Sequence, residues 1–495
     1  MSPMMTLQQA LDWIPGATLV LDGSTAITRV HTDTRTVMPG DLFVALSGDH
    51  YDANEFLADA KAKGALAVIT NSREKLERAN ISGLVVPDTR KALGLLALGW
   101  RAQFKLPLIA VTGSNGKTTV SQMIASILRA YRPQTMLATE GNFNNDIGVP
   151  LTLLRLTTKH QVAVVELGMN HPGEIAWLAE ISQPTVALVN NAQREHLEFM
   201  STLEAVAREN GSVIAALAST GVAIFPGDDE FAPLWHSIAE SRPELTFAIT
   251  SHQSHGERWN SDSQSADIVC ERSDWVRGAW QVRAVTPTGE LAFALHCPGI
   301  HNVKNALAAV ACAMAVGVSL AEIAQGLESF KPVKGRSRAL RCVSHGSEFD
   351  LVDDTYNANP DSVRAAIEVL AGLPGPRLLV LGDMGEVGVN GPQFHAEAGA
   401  HARAVGIESL FTLGELSKLA SEAFGAGIHW ASMEALKQAV LDALPGYRSI
   451  LVKGSRFMKM ENVVDAVLAA TQVPQSGSGL IEGAGALFPA EVSCS

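Results

Sequence analysis

Pro107-Leu108-Ile109-Ala110-Val111 runs without a break into Thr112-Gly113-Ser114-Asn115-Gly116-Lys117-Thr118-Thr119, and the reading of this stretch decides the fold. The continuous apolar run predicts a strand buried on both faces, as in a parallel sheet. Beyond it, Val120, Met123, Ile124, Ile127, Leu128 and Tyr131 recur at the spacing of one helix face. The glycines therefore lie between a buried strand and a helix N-terminus. Free backbone N–H groups and the positive end of the helix dipole make that junction an anion site. Lys117 is placed to reach terminal phosphates and Thr118 to put a hydroxyl on Mg²⁺. Two residues separate Gly113 from Gly116, where the strict Walker pattern has four, so the match is to G-K-T in its strand–loop–helix context. A nucleoside triphosphate held by Gly113, Ser114, Asn115, Gly116, Lys117, Thr118 and Thr119 is the first inference.

Outward from this loop the same alternation repeats. Val162–Val165, Val186–Val189 and Val222–Phe225 read as further buried strands, which gives a doubly wound α/β unit. Upstream, Leu42–Leu46 and Ala65–Ile69 read as strands, Phe56–Lys63 as a helix and Trp100–Leu106 as a junction. Downstream, Ser251–Ser265 turns polar and predicts a surface excursion, and a helix is expected over Asn302–Val316. Lys331–Arg338, with Pro332 and Gly335, reads as a linker. A second α/β pattern follows, with strands at Phe349–Val352, Leu378–Leu381, Leu410–Thr412 and Ile450–Val452. The Ser/Gly/Ala-rich end predicts a mobile tail. The expected units are 1–105, 106–331 and 332–472, with the tail at 473–495.

A length of 495 residues accommodates about three domains. Lys and Arg number 38 against 51 Asp and Glu, for a formal charge of −13. Such a chain repels nucleic acid and anionic membranes over most of its surface, so any phosphate must be held locally. Asn305–Ala321 is too short for a bilayer span, and the N-terminus shows no signal-peptide pattern. The five cysteines are scattered, never in C-x-x-C spacing. That argues against a disulfide framework or thiolate zinc site and for a reducing cytoplasm.

Glu166 ends the Val162–Val165 run, and His196 follows Val186–Val189. Ligands of open α/β sheets gather at strand carboxyl ends, where a carboxylate suits Mg²⁺. Taken singly, such a glutamate also serves as a loop anchor, and such a histidine as an ordinary surface residue. Polar loops follow three later strands: Asp353–Pro360, Gly382–Glu386 and Lys453–Arg456. They predict a second ligand-facing edge, although for Asn359 and Asp361 capping the next helix is the simpler role.

Together these motifs resemble the Mur ligase family, ATP-dependent amide ligases that build the peptide stem of cell-wall precursors. The likeness runs from about Thr32 to Val463 in the family's order. It covers T-G-x-x-G-K-T-T at Thr112–Thr119, H-N-x-x-N-x-L-A-A at His301–Ala309, Gly335-Arg336 in the linker and the loop Asp353–Pro360. It implies three α/β domains: a small UDP-sugar-binding one, a central P-loop ATPase and a C-terminal Rossmann-like one. Lys117, Glu166, His196 and Arg336 would be catalytic. The Gly113–Thr119 loop with Asn302, Asn305, Arg336, Asp354, Tyr356 and Asn357 would hold ATP, and Thr118, Glu166 and His196 would hold Mg²⁺.

Thr32–Arg35 with Gly40–Gly48, Glu140–Thr152, and the loops Leu381–Gly388 and Lys453–Glu461 resemble the branch that joins D-alanyl-D-alanine to UDP-muramoyl tripeptide through an acyl phosphate. Thr34, Arg35, Ser47, Asn142, Asn144 and Asn145 would then contact the muramoyl substrate, in a monomeric, cytoplasmic enzyme. A sister ligase adding another amino acid, or a P-loop phosphotransferase, is the alternative. The chain departs from the family at Asp52-Ala53-Asn54, at Phe199-Met200, and at Asn210, where many members carry a carbamylated lysine supporting a second Mg²⁺. An activity independent of carbamate follows. Because the implied ligands are anionic, the cleft is expected to reverse the sign of the chain's net charge.

Overall fold

The computed structural model describes residues 3–48, 51–195, 197–250, 266–344 and 346–473. The excursion foreseen at 251–265, the tail beyond 473 and His196 lie outside the described residues.

Three sheets organise the chain. The first has the order Thr18–Val20, Ser82–Val85, Ala67–Thr70, Asp41–Val44, Arg29–His31; Thr18–Val20 runs antiparallel and the others parallel. The central sheet has nine strands. Met136–Ala138, Val162–Glu166, Leu108–Thr112, Val186–Val189, Val222–Pro226, Glu244–Ile249 and Ile268–Val276 run parallel, in that spatial order. The third sheet places Ser449–Lys453 between Ser347–Asp354 and Arg377–Gly382, followed by Ser409–Leu413 and Ile428–Trp430, with Arg338–Ser344 antiparallel at its edge.

The apolar runs form strands because both faces are covered. Along Leu108–Val111, Leu108 and Ala110 join one core while Ile109 and Val111 join another. The same division holds for Ala187 and Val189 against Val186 and Leu188. In the third sheet Leu379 and Leu381 face one core, and Leu378 and Val380 the other. The helix Lys117–Tyr131 buries Val120, Met123, Ile124, Ile127 and Leu128, the face read from the sequence.

The sequence reading left one large element out. Ile268–Val276, Ala279–Thr286 and Gly289–Leu295 form an antiparallel meander that lengthens the central sheet. Arg277 and Gly278, with φ of 52° and 81°, make the two-residue turn that matches strand twist. Val282, Ala284 and Thr286 are buried and alternate with exposed Gln281, Arg283 and Val285, so the period of two was present; the search for uniformly apolar runs passed over it.

The first domain is welded to the second. One apolar core runs from Met5 through Leu93 and Leu96 to Leu178 and Trp235. Gly94 allows this contact, because a Cβ there would stand 2.6 Å from Trp177 Cζ2. The junction expected at Trp100–Leu106 is fastened by Arg101, whose side chain donates to the carbonyls of Ser182 (3.0 Å), Gln183 (3.1 Å) and Phe104 (2.6 Å).

Candidate active site

Leu108–Thr112 is the topological switch point of the central sheet, since connections leave it toward Met136–Ala138 and Val162–Glu166 on one side and toward Val186–Val189 on the other. Crevices at such points hold ligands. Here the crevice is a cleft of about 890 Å³ lined by loops of the second and third sheets and, from the first domain, by Arg90.

The P-loop is braced by asparagines. Asn190 and Asn191, after Val186–Val189, both donate to the Asn115 carbonyl, at 2.8 and 2.9 Å, and Asn115 N donates to Asn191 Oδ1. Gly116 caps the helix Lys117–Tyr131 with φ of 82°. A Cβ there would lie 2.6 Å from Asn305 Oδ1, so the closeness of Asn305 requires glycine. Asn305 donates to Asn302, and Asn302 to the Pro298 carbonyl. Both expected ATP-side asparagines thus border the cleft while holding the loop's shape.

Glu166 is 1% exposed. Its Oε1 accepts from Thr118 Oγ1 at 3.0 Å and from Asn144 Nδ2 at 2.8 Å. The strand end, the P-loop helix and the Glu140–Thr152 loop therefore meet on one carboxylate. Asn142 and Asn145 line the same wall, and Asn145 Oδ1 also accepts from the amides of Ile147 and Gly148.

The opposite wall belongs to the linker and the third sheet. Gly335 N donates to Asp353 Oδ2 at 2.8 Å, Ser337 N to Asp354 Oδ1 at 2.9 Å, and Tyr356 N to the Gly335 carbonyl. Arg336 lies over the Tyr356 ring, 3.9 Å from its centroid. Lys453 Nζ donates to Asp354 Oδ2 at 2.6 Å and to the Asn357 carbonyl. Burial pushes the Asp354 carboxyl upward, but Lys453, the Ser337 N–H and His301 together hold it below the usual carboxylate range. Burial pushes the His301 imidazole below its ordinary value.

Of the residues singled out in the sequence, the P-loop, Asn142, Asn144, Asn145, Glu166, Asn302, Asn305, Arg336, Asp354, Tyr356 and Asn357 come together. Thr34, Arg35 and Ser47 do not line this cleft; they belong to the first domain, where Asp33 and Arg35 pair at 2.7 Å. Asn359 caps Pro360–Ala371 as foreseen, yet its amide also bonds Asn115 at 2.9 Å across the domain boundary. Asp361 pairs with Arg194.

Sequence reasoning left Arg90, Asn190, Asn191, Glu195, Lys304 and Lys453 unassigned, although all line the cleft. The strand-end asparagines and Lys453 carried the same positional signal as Glu166. Arg90 did not, because its partner Asp146 lies 56 residues along the chain.

Two expectations need correction or sharpening. Arg90, Lys117, Lys304, Arg336 and Lys453 face Asp146, Glu166, Glu174, Glu195, Asp229, Asp354 and Asp361, so side chains alone do not reverse the cleft's sign. The strand-end carboxylates that attract cations cause this. Asn210 is fully buried, accepting from Thr112 Oγ1 at 2.7 Å and donating to the Val206 carbonyl. Its amide is spent inside the domain and does not line the cleft. Glu209, the neighbouring carboxylate, instead accepts from Ile175 N at 2.9 Å.

Fold and site define a three-domain P-loop α/β enzyme, with a nucleotide cradle in one sheet and a second α/β domain lining the same cleft. The chain belongs to the Mur ligase family: the family's models match at residues 26–101 (the catalytic domain), 111–313 (the middle domain) and 336–456 (the glutamate ligase domain). The UDP-N-acetylmuramoyl-tripeptide--D-alanyl-D-alanine ligase of Escherichia coli is 39% identical over 94% of this chain and 98% of its own. A crystal structure of MurF from Acinetobacter baumannii superposes with a TM-score of 0.84 at 34% identity, covering 94% of this chain and 98% of that one. MurF from Thermotoga maritima, solved in complex with ADP, shares the fold with a TM-score of 0.74 at 24% identity, over 89% and 97%.

Proposed function

We infer that this enzyme joins D-alanyl-D-alanine to UDP-N-acetylmuramoyl-tripeptide at the expense of ATP, forming the pentapeptide precursor of peptidoglycan. The observation that carries the reading is the meeting of Lys117, Thr118, Glu166 and Asn144 at one edge of a cleft whose other edge is the Arg336 linker and the Asp353–Asn357 loop.

A carboxylate is a poor electrophile, and phosphorylation gives it a leaving group. The tripeptide's terminal carboxylate takes the γ-phosphoryl group of ATP, releasing ADP. The dipeptide amine then attacks the acyl carbon, and inorganic phosphate leaves as the amide forms. Both steps gather negative charge on phosphoryl oxygens, so fixed cations and N–H donors govern the rate. Lys117 and the loop amides bind and orient the triphosphate. Asn144, held by Glu166, faces the muramoyl side. Arg336, flat on Tyr356 and tied to the third domain through Gly335 and Ser337, brings a guanidinium to the nucleotide when that domain is docked.

Thr118 and Glu166 supply hard oxygen donors in mutual contact, which fits Mg²⁺ completed by phosphate oxygens and water. The resemblance adds His196. Mg²⁺ at that place would neutralise phosphate charge that the side chains leave uncompensated. Asn210 does not fit a role in supporting a second ion.

Among the described residues no helix is long and apolar enough to cross a membrane, in keeping with work on nucleotide-linked precursors in the cytoplasm. Incubation with ATP and UDP-muramoyl tripeptide against a panel of amines tests the reading. Phosphate release should require D-alanyl-D-alanine, and release with a single amino acid instead would transfer the chain to a sister activity.

A further inference from the structure

Lys117 is fully engaged by groups of the protein itself. Its Nζ donates to the carbonyls of Gly113 (2.6 Å) and Ser114 (3.0 Å) and to Glu195, whose two carboxylate oxygens both lie at 3.3 Å. An ammonium has three N–H donors, so all three are engaged. The two side chains are 14% and 10% exposed, a sheltered ion pair. The preceding residue is anchored elsewhere. Arg194 donates from its backbone N (2.8 Å) and its guanidinium (2.7 and 3.0 Å) to Asp361, approaches Glu397 at 3.4 Å, and lies 5.2 Å from the centroid of the Phe394 ring. Asp361 starts the helix Pro360–Ala371, and Phe394 and Glu397 belong to Gly391–Ala404, both in the third domain.

We propose that Glu195 is a positioning residue that stands in for nucleotide phosphate on Lys117, and that the Arg194–Asp361 contact holds it there while the third domain is docked. The proposal rests on reading the P-loop as the triphosphate site. Glu195 and a β- or γ-phosphate carry the same sign and compete for one N–H of the same ammonium, so ATP enters by displacing the carboxylate. The two P-loop carbonyls can keep their bonds throughout. AMP, lacking the outer phosphates, does not enter the competition.

Titration calorimetry of the full-length chain with ATP, ADP and AMP, with and without Mg²⁺, tests this in wild type, Glu195→Gln, Glu195→Asp and Asp361→Asn. Loss of the competing charge in Glu195→Gln should tighten ATP and ADP about tenfold and leave AMP unchanged. Glu195→Asp, which keeps the charge, should stay near wild type. Asp361→Asn, which loosens the anchor with Glu195 intact, should tighten ATP in the same sense by a smaller factor, and it decides the matter if Glu195→Gln does not fold. Unchanged or weaker ATP binding in the charge-removing variants, as a metal-binding or merely structural Glu195 would give, overturns the proposal. So does an equal shift for AMP and ATP. A wild-type chain that binds no nucleotide would instead remove the triphosphate reading beneath it.

Discussion

With Lys117 proposed to meet the transferring phosphoryl group, Lys117→Ala should lower kcat by about 10²–10³ with folding intact, by steady-state kinetics beside thermal melting. Asn210 is the opposite case, a residue at a family position with its chemistry turned inward. Its carbonyl takes the Thr112 hydroxyl and its amide the Val206 carbonyl. Activity in CO2-depleted buffer should therefore not respond to added bicarbonate, and a marked rescue would show a carbamate elsewhere. Asn210→Ala should cost about 1–3 kcal/mol in denaturant unfolding, because Thr112 is left buried without its acceptor. Lys117 was legible from local pattern, Glu166 only weakly from its strand end, and Asn210 only through the family resemblance. The links of Glu195 and Arg194 were not, because their partners lie 78 and 167 residues away in sequence.

At the scale of elements, loops after strand ends line the cleft and buried hydrogen bonds hold them. The loop after Arg377–Gly382, outside the cleft, is held in the same way. His395 Nε2 accepts from Met384 N at 2.9 Å, which makes Nδ1 the protonated nitrogen donating to the Gly391 carbonyl at 2.7 Å. Burial accordingly pushes the imidazole below its ordinary value. The unfolded chain takes up this proton near pH 6.5; the folded chain does so only at lower pH. The contribution is therefore whole above about 6.5 and is lost as pH falls through the depressed value. Thermal melts from about pH 5 to 8 should show wild type losing more stability on acidification than His395→Gln, which keeps a donor and an acceptor without titrating.

Strand existence was legible wherever both faces are apolar, as in Leu108–Thr112. The meander Ile268–Leu295 was not recognised, because a sheet covered on one side signals by alternation instead. Asn359 was legible as a helix cap, but Asp361, expected to cap as well, lies within the first turn instead; their partners Asn115 and Arg194 arise only from domain docking.

Over the whole molecule, the domains are joined unequally. The first and second share one apolar core and the Arg101 clasp. The third has its own cores, made of residues 339 to 467 among those described, and meets the second through polar contacts such as Asn359–Asn115 and Asp361–Arg194. Arg101→Met, which strands several buried carbonyls, should destabilise the welded pair by about 3 kcal/mol. Polar contacts exchange with water at little cost, so the third domain is the one expected to move. Small-angle scattering should change when ATP and the muramoyl tripeptide are added together, and identical profiles would contradict a moving third domain.

One cleft is proposed to couple ATP cleavage to amide formation with D-alanyl-D-alanine. The most direct measurement follows phosphate and peptide product together, with ATP, UDP-muramoyl tripeptide and Mg²⁺ supplied and the amine varied. One phosphate per pentapeptide is expected, only with D-alanyl-D-alanine, and Lys117→Ala should slow both products together by about 10²–10³. Phosphate appearing on a hydroxyl of the substrate, or amide formation at the full rate in Lys117→Ala, would contradict it.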